Sequence, residues 1–153
     1  MSRHPRLCLL LLPLWIAMLG AFLTTLVGTP ASASVYSQIY SFPNRPDGSS
    51  PHAKLVQAAD GTFYGTTANG GISGGGVLFK MDSAGATQIL YDFSTVSYPD
   101  SLILGADGLL YGTAYTGGTY GVGAIFRIDT KGKNFKMLYA FSGGTDGSYP
   151  VAL

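Results

Sequence analysis

After residue 33, the histidine and carboxyl side chains that could serve in general acid–base catalysis are His52 and eight aspartates, and the sequence contains no glutamate. His52 lies directly after Pro51, and no Gly-x-Ser-x-Gly motif supplies a serine nucleophile that it could activate. Glycoside hydrolysis needs two carboxyl groups held across a cleft, whereas most of these aspartates fall in Asp-Gly turns or at the ends of predicted strands. We therefore predict no catalytic residues.

The same aspartates do not form a metal-binding pattern. A calcium ion takes about six to eight oxygen ligands, and the sequence contains no D-x-[DN]-x-[DN]-G loop to supply them. The glycine-rich stretches 71–76 (GISGGG) and 118–123 (GTYGVG) lack the Lys-Ser/Thr pair of a phosphate-binding loop. We predict no metal site and no cofactor, and we interpret these glycines as turns and close backbone approaches.

Tyrosines near predicted turns are the remaining candidates for binding. An amphipathic ring can stack on a sugar or anchor a protein partner, but it can also simply cap the edge of a sheet. The candidate contact residues are Tyr98, Tyr115, Tyr120 and Tyr149. Ala68 and Ser73 stand at the positions of Tyr115 and Tyr120 in the preceding copy of an internal repeat, so these tyrosines are not required by the repeat.

Composition narrows the class of protein. The chain has 153 residues, of which 46% are hydrophobic and 11% charged, and its net charge is +1. A nearly neutral chain lacks the basic surface that nucleic-acid binding needs, so we predict no nucleic-acid partner. The length suits one domain of ordinary size.

The N-terminus has the three parts of a secretory signal peptide. Arg3 and Arg6 precede the uncharged stretch 7–27, and Ala31-Ser32-Ala33 supplies a small-x-small cleavage motif. We predict a signal peptide over residues 1–33, cleavage after Ala33, and a secreted or cell-surface product. The alternative is an uncleaved anchor, because the apolar stretch is long enough to cross a bilayer. Only that alternative would make the protein membrane-bound.

The rest of the chain, 34–153, is an internal repeat. The segment DGTFYGTTANGG at 60–71 returns 47 residues later as DGLLYGTAYTGG at 107–118. Further pairs follow in the same order: GGGVLFKMD at 74–82 with GVGAIFRID at 121–129, and ILYDF at 89–93 with MLYAF at 137–141. We place full repeats at about 43–93 and 94–141, with partial copies at 34–42 and 142–153.

Alternation with a period of two predicts four short strands in each repeat. They fall at about 54–59, 62–68, 76–82 and 87–93, and again at 101–106, 109–115, 123–129 and 134–141. Alternation also places Val77, Phe79 and Met81 on one apolar face. In the last strands it groups Thr87, Ile89, Tyr91 and Phe93 on one face, and Phe135, Met137, Tyr139 and Phe141 likewise.

We therefore predict an all-β protein built from tandem four-stranded antiparallel blades of a partial β-propeller, with about two and a half repeats. A β-sandwich and a stacked β-solenoid are the alternatives. Residues 35–42 resemble only the last strand of a repeat, and such a strand could close a ring of blades.

The unit DG-x-[LF]-Y-G-T-[TA]-x-x-G-G, followed by [VIL]-F-[KR]-[MI]-D and L-Y-x-F, resembles the GloVer tandem repeat over residues 35–153. The resemblance implies an exported protein; some family members are anchored through a C-terminal sorting segment. It implies no known activity or catalytic residue for this chain.

A closed ring needs roughly four to eight blades, so we expect the sequence to be a fragment of a longer protein. If it is not, its open blade edges would favour self-association. We expect an exported, non-catalytic module that binds or displays a partner, either a protein or a glycan. The alternative is a fragment of a propeller-type polysaccharide hydrolase or lyase.

Overall fold

The structure, a computed structural model, describes residues 36–43 and 46–151, and the predicted signal peptide with its cleavage site at Ala33 lies outside them. The regular structure of the described residues is entirely β. In chain order the strands are β1 (Val56–Gln57), β2 (Phe63–Thr66), β3 (Val77–Met81), β4 (Thr87–Asp92), β5 (Val96–Leu104), β6 (Leu109–Gly117), β7 (Ala124–Asp129) and β8 (Lys136–Ala140). No helix in these ranges is long and apolar enough to span a membrane.

The strands form two four-stranded antiparallel sheets, one for each predicted repeat. Their orders are β1-β2-β3-β4 and β5-β6-β7-β8, so every strand pairs with its neighbour in sequence. The all-β prediction and the predicted tandem of four-stranded sheets are confirmed. Each sheet has the meander order of a propeller blade.

The two sheets pack together through aromatic side chains. The rings of Phe93 and Phe126 have centroids 5.2 Å apart, and Tyr91 stacks on Phe135 at 5.1 Å with an interplanar angle of 10°. Phe93 and Phe126 are both fully buried. Removing such large apolar surfaces from water is the main stabilising contribution of this interface.

The first sheet is buried on both faces. Phe79 and Leu78, adjacent on β3, point to opposite faces and are both buried. The second sheet covers the Leu78 face, while the ring of Phe42 packs edge-on against Phe79 at 5.0 Å. The alternating pattern predicted only one buried face for this strand. Residues 36–43 themselves form no strand with other described residues.

A β-bulge at the last strand of each sheet overturns one prediction. Leu78 pairs with Tyr91 but Phe79 pairs with Ile89, so β4 carries an additional residue between them. The pairing of β7 with β8 shifts in the same way at Leu138. Because an extra residue reverses the phase of a strand, Ile89 and Tyr91 lie on opposite faces. The prediction that they share a face was wrong, and so was its counterpart for Met137 and Tyr139.

Strand β5 begins earlier than predicted. It starts at Val96, which pairs with Gly117, and it includes Pro99 followed by a bulge before Ser101. The sequence predicted this strand only from about residue 101, whereas Tyr98 and Pro99 belong to β5, an edge strand of its sheet. An edge strand tolerates proline because one side of it needs no ladder hydrogen bonds.

Candidate functional site

One face of the second sheet is left uncovered by the first sheet. Leu110, Ala114 and Phe126 point towards the first sheet and are fully buried. The residues that alternate with them point away and form a surface that we call the outer face. Its members are Ser101, Ile103, Tyr111, Thr113, Tyr115, Ile125, Arg127 and Tyr139. Leu109, Asp129 and Lys136 continue it at one end, so the outer face combines aromatic and aliphatic side chains with charged ones.

The same repeat positions are buried in the first sheet. Tyr64 corresponds to Tyr111 and is 6% exposed, and Leu78 corresponds to Ile125 and is fully buried. On the outer face Tyr111 and Ile125 remain partly exposed, and Ile103 is 63% exposed. One surface of the repeat is therefore an internal contact in the first copy and an open surface in the second.

A cleft of about 520 Å³ lies along the outer face. Aliphatic side chains of β5 and β7 form part of its wall, and the polar side chains that line it are His52, Lys54, Asp100, Ser101, Tyr111 and Thr113. The hydroxyl oxygens of Ser101 and Thr113 are 2.8 Å apart and share a hydrogen bond. A mainly apolar cleft with a few polar groups is the usual form of a ligand site.

The structure brings together two of the four predicted contact tyrosines. The rings of Tyr115 and Tyr149 have centroids 5.0 Å apart with an interplanar angle of 31°, and each ring is nearly half exposed. Tyr120 lies in the turn after β6 and is 63% exposed. Tyr98 and Tyr115 lie in strands rather than in loops, and no ring contact involves Tyr98 among the described residues.

The backbones of Tyr98 and Tyr149 also have a structural role. Both residues, like Ser50 in the earlier repeat, precede a proline and have positive φ angles of 54°, 52° and 59°. This conformation is unfavourable for a non-glycine residue before proline, so the surrounding contacts must hold it. The ring of Pro99 packs on Gly76, directly before β3, and the ring of Pro150 packs on Gly123, directly before β7.

A comparison with known repeat families identifies the chain. The sequence profile of the Gloeobacter/Verrucomicrobia repeat matches residues 24–153. The chain belongs to this family. The resemblance to the GloVer repeat is thus confirmed. No curated protein matches the sequence significantly.

Tyr139 is an outer-face residue of this repeat protein that sequence reasoning missed. The alternation rule placed it beside Met137, but the bulge at Leu138 turns it to the outer face opposite Ile125. Its hydroxyl donates to Asp146 at 2.8 Å, and this hydrogen bond raises the pKa of Tyr139. The bulge lies at the same repeat position in both sheets, Leu90 and Leu138, so a comparison of the two repeats in sequence provides no signal for it.

The aspartates of the repeat mainly organise turns. The Oδ1 atoms of Asp60, Asp107 and Asp129 each accept a hydrogen bond from the amide two residues further on, at 3.0, 3.1 and 2.9 Å. Backbone donors favour the charged carboxylate and lower the pKa of Asp60, while for Asp107 the largest lowering comes from the Tyr111 hydroxyl. The predicted turn role of these aspartates is confirmed. Within residues 36–43 and 46–151 no three acidic, histidine or cysteine side chains are placed to hold a metal ion.

Proposed function

We propose that this repeat protein is an exported, non-catalytic module that binds a partner, a glycan or a protein, through the outer face of its second sheet. The observation that supports the proposal is that Tyr111 and Ile125 are partly exposed while their repeat counterparts, Tyr64 and Leu78, are buried. An exposed apolar patch that includes tyrosine rings commonly marks an interaction site.

The chemistry of the outer face suits either class of partner. Tyrosine offers a flat apolar ring together with a hydroxyl, so it can stack on a sugar or pack into a protein interface. Tyr115 is held by its contact with Tyr149, and Tyr139 is held by its hydrogen bond to Asp146. Fixed rings lose little conformational entropy on binding, which favours affinity.

Export is part of the proposal and rests on the N-terminal sequence. The basic residues Arg3 and Arg6, the apolar stretch 7–27 and the motif ending at Ala33 form the pattern of a secretory signal peptide. The intact mass of the protein recovered after export tests this part. We expect a product that begins at Ser34, whereas a product that retains residues 1–33 would indicate a membrane-bound protein.

Binding is tested by retention of the exported protein on arrays of neutral and acidic glycans and on candidate surface proteins. Tyr115→Ala should weaken retention by about tenfold or more, as the loss of a central aromatic contact does. Ile72→Ala is the matched control, because Ile72 is highly exposed but lies in a loop of the first repeat. Unchanged retention in Tyr115→Ala would contradict a binding role for the outer face.

A propeller-type polysaccharide hydrolase or lyase is the second candidate. The observation that favours it is that the cleft gathers His52, Lys54 and Asp100, which together could donate, accept and neutralise charge. The test is product formation from a panel of polysaccharides by the full-length protein. Turnover that is abolished in His52→Ala would replace the non-catalytic proposal, and the absence of turnover in the wild type would exclude this candidate for that panel.

A further inference from the structure

The glycine-rich loop of the first repeat encloses a carboxylate. The backbone amide of Ser73 donates to Oδ1 of Asp92 at 3.0 Å, and the amide of Ile72 donates to Oδ2 of the same side chain. Two successive amides that converge on one carboxylate form a small anion-binding concavity. In the first repeat, the protein's own side chain occupies this concavity.

The corresponding loop of the second repeat has a similar backbone conformation at its glycines, with two further hydrogen bonds, Gly117 N to Gly121 O at 3.2 Å and Gly121 N to Gly118 O at 3.3 Å. Four glycines at matching positions have similar φ angles: 84°, 74°, 82° and 94° for Gly70, Gly71, Gly74 and Gly76, and 87°, 78°, 77° and 111° for Gly117, Gly118, Gly121 and Gly123. Both loops are closed by the same hydrogen bond, Gly76 N to Gly70 O at 3.0 Å and Gly123 N to Gly117 O at 3.1 Å. Thr119 and Tyr120 therefore stand where Ile72 and Ser73 stand in the first loop.

The carboxylate, however, is missing from the second repeat. Asp92 pairs with Val77 at the start of β3, and the residue that pairs with Ala124 at the start of β7 is Ala140. Ala140 lies beneath the loop, 3.4 Å from the position of a Cβ added at Gly118, but its methyl group cannot accept a hydrogen bond. The amides of Thr119 and Tyr120 have no acceptor among the described residues, and both residues are exposed.

We propose that the amides of Thr119 and Tyr120 bind a carboxylate of the ligand, and that this ligand is an acidic glycan carrying uronic acid residues. The inference rests on the proposed binding function and deepens it by naming the chemistry. Hydrogen bonds from two amides to a charged carboxylate are stronger than neutral ones and fix its orientation.

Neighbouring side chains favour a sugar over an acidic peptide as the source of the carboxylate. Tyr120 contributes an amide and also a ring that is 63% exposed. Tyr139 precedes Ala140, the residue beneath the loop, and its side chain is also nearly half exposed. Exposed tyrosine rings beside a carboxylate site match a uronic acid, which has a pyranose ring for stacking and a charged group for the amides.

The Asp146 carboxylate, which is hydrogen-bonded to Tyr139, carries a negative charge of the same sign as the ligand's carboxylate. Its carboxylate is held by Tyr139 and Ser142, so it does not reach the loop amides with a hydrogen bond. It still repels a second carboxylate through the solvent. We expect moderate salt to strengthen binding of an acidic glycan by screening this repulsion.

The amide signals of the exported full-length protein provide the first test, in a titration with sodium acetate by ¹H–¹⁵N NMR. We expect the amide protons of Thr119 and Tyr120 to shift downfield and to saturate, while sodium chloride at equal ionic strength leaves them unchanged. Ile72 and Ser73 should not respond, because Asp92 already occupies their loop. An absent response, or a uniform response of all exposed amides, would overturn the site.

Two substitutions exchange the residue types at the equivalent positions 92 and 140 of the two repeats. Ala140→Asp introduces the carboxylate that the first repeat has, so it should abolish the acetate response of Thr119 and Tyr120. Asp92→Ala removes the carboxylate from the first repeat and should make Ile72 and Ser73 respond to acetate. If Ala140→Asp leaves the acetate response intact, the amides are not the binding groups.

A second set of titrations, with oligosaccharides and a peptide in place of acetate, identifies the kind of molecule that supplies the carboxylate. An oligogalacturonate should saturate the Thr119 and Tyr120 signals at a concentration about tenfold or more below that of acetate, because its rings add contacts, and a neutral glucose oligomer should not shift them. A glutamate-rich peptide that binds more tightly than the oligogalacturonate would overturn the glycan assignment. Failure of the proposed function itself is distinguishable, since it appears as unchanged retention in Tyr115→Ala even where acetate binds the loop.

Discussion

The carboxylate of Asp146 organises the segment after β8 through hydrogen bonds to two residues. Oδ1 accepts from the Ser142 hydroxyl at 2.6 Å, and Oδ2 accepts from the Ser142 amide at 2.9 Å and from the Tyr139 hydroxyl at 2.8 Å. These donors favour the charged form, so the Ser142 bonds first and the Tyr139 bond next lower the pKa of Asp146 to about 2. The same cluster holds Tyr139 on the outer face, which links residue chemistry to the proposed binding surface.

Removing the Ser142 hydroxyl should raise the pKa of Asp146. In Ser142→Ala we expect the value to move from about 2 back towards 3.8, because the hydroxyl donor is the largest cause of the shift. Carboxyl-detected NMR titration measures this change, and the Asp60 carboxyl serves as an internal control because Ser142 is not one of its donors. An unchanged pKa would contradict the hydrogen-bond assignment.

The same shift gives the pH dependence of stability. The folded-state pKa of Asp146 lies below the unfolded value of 3.8, so the ionised group stabilises the folded protein above about pH 4. This stabilisation falls away as the pH drops from 4 through about 2. In Ser142→Ala the loss of stability over this pH interval should be smaller than in the wild type, as thermal unfolding at a series of pH values would show.

Among the elements, the glycine-rich loop sets the distance between a sheet and the chain that follows it. Gly123 has a φ of 111°, and a Cβ placed there would lie 2.9 Å from the carbonyl oxygen of Ala114 and 3.0 Å from that of Tyr115. It would also meet the ring of Pro150. A side chain at this position would therefore separate β6 from the segment after β8.

Alanine substitutions at two glycines of this loop should have different effects on stability. Gly121→Ala introduces only the cost of a positive φ, about 1–2 kcal/mol, because nothing lies within 4 Å of its added Cβ. Gly123→Ala adds collisions with two backbone oxygens, and we expect a loss of ~3 kcal/mol or more. Chemical denaturation of the two variants makes the comparison, and equal losses would show that close packing does not explain Gly123.

The aromatic contact between the sheets is the other element-scale feature with a measurable effect. Phe126 is fully buried against Phe93 and lies 5.6 Å from Phe135 by ring centroid. Phe126→Ala should lower the free energy of unfolding by ~3–5 kcal/mol through lost burial and the cavity left behind. Ile72→Ala is the control, since that side chain is 86% exposed and should cost little. A small loss in Phe126→Ala would mean that the sheets do not pack through this ring.

Over the whole of the described region, residues 36–43 and 46–151, equivalent surfaces of the two repeats are covered differently. The repeat that generates two similar sheets also generates two similar faces, and within this region only one of them is covered by a neighbouring sheet. Leu78 is fully buried under the second sheet, whereas Ile125 at the same repeat position is partly exposed in the cleft. A partner that packs on this face would bury further apolar area.

Paired substitutions measure that asymmetry. Leu78→Ala should lower the free energy of unfolding by ~2–5 kcal/mol, as for a fully buried side chain. Ile125→Ala should cost about half of that or less, since the side chain keeps contact with water in the folded protein. Denaturant unfolding of both variants provides the values. An equally large loss in Ile125→Ala would show that the outer face is covered in solution, for example by another molecule.

Local sequence patterns predicted those features of this protein that depend on a few neighbouring residues. The spacing of the DG, YGT and glycine-rich segments defined the repeat, and alternation defined the class of fold and most strands, because both effects act within a few residues. The turn role of Asp60 and Asp107 was also readable, since an aspartate binds the amide two residues on.

Which surfaces are covered, and which amides lack a partner among the described residues, could be seen only in the folded protein. The bulges at Leu90 and Leu138 reverse the facing of Tyr91 and Tyr139, and a bulge is a property of two paired strands rather than of one. Likewise, Asp92 and Ala140 matter because each lies against a loop that is about twenty residues earlier in the chain. Asp92 accepts hydrogen bonds from the amides of its loop, whereas Ala140 cannot. Burial and long-range hydrogen bonds depend on what packs against a residue, which no local pattern states.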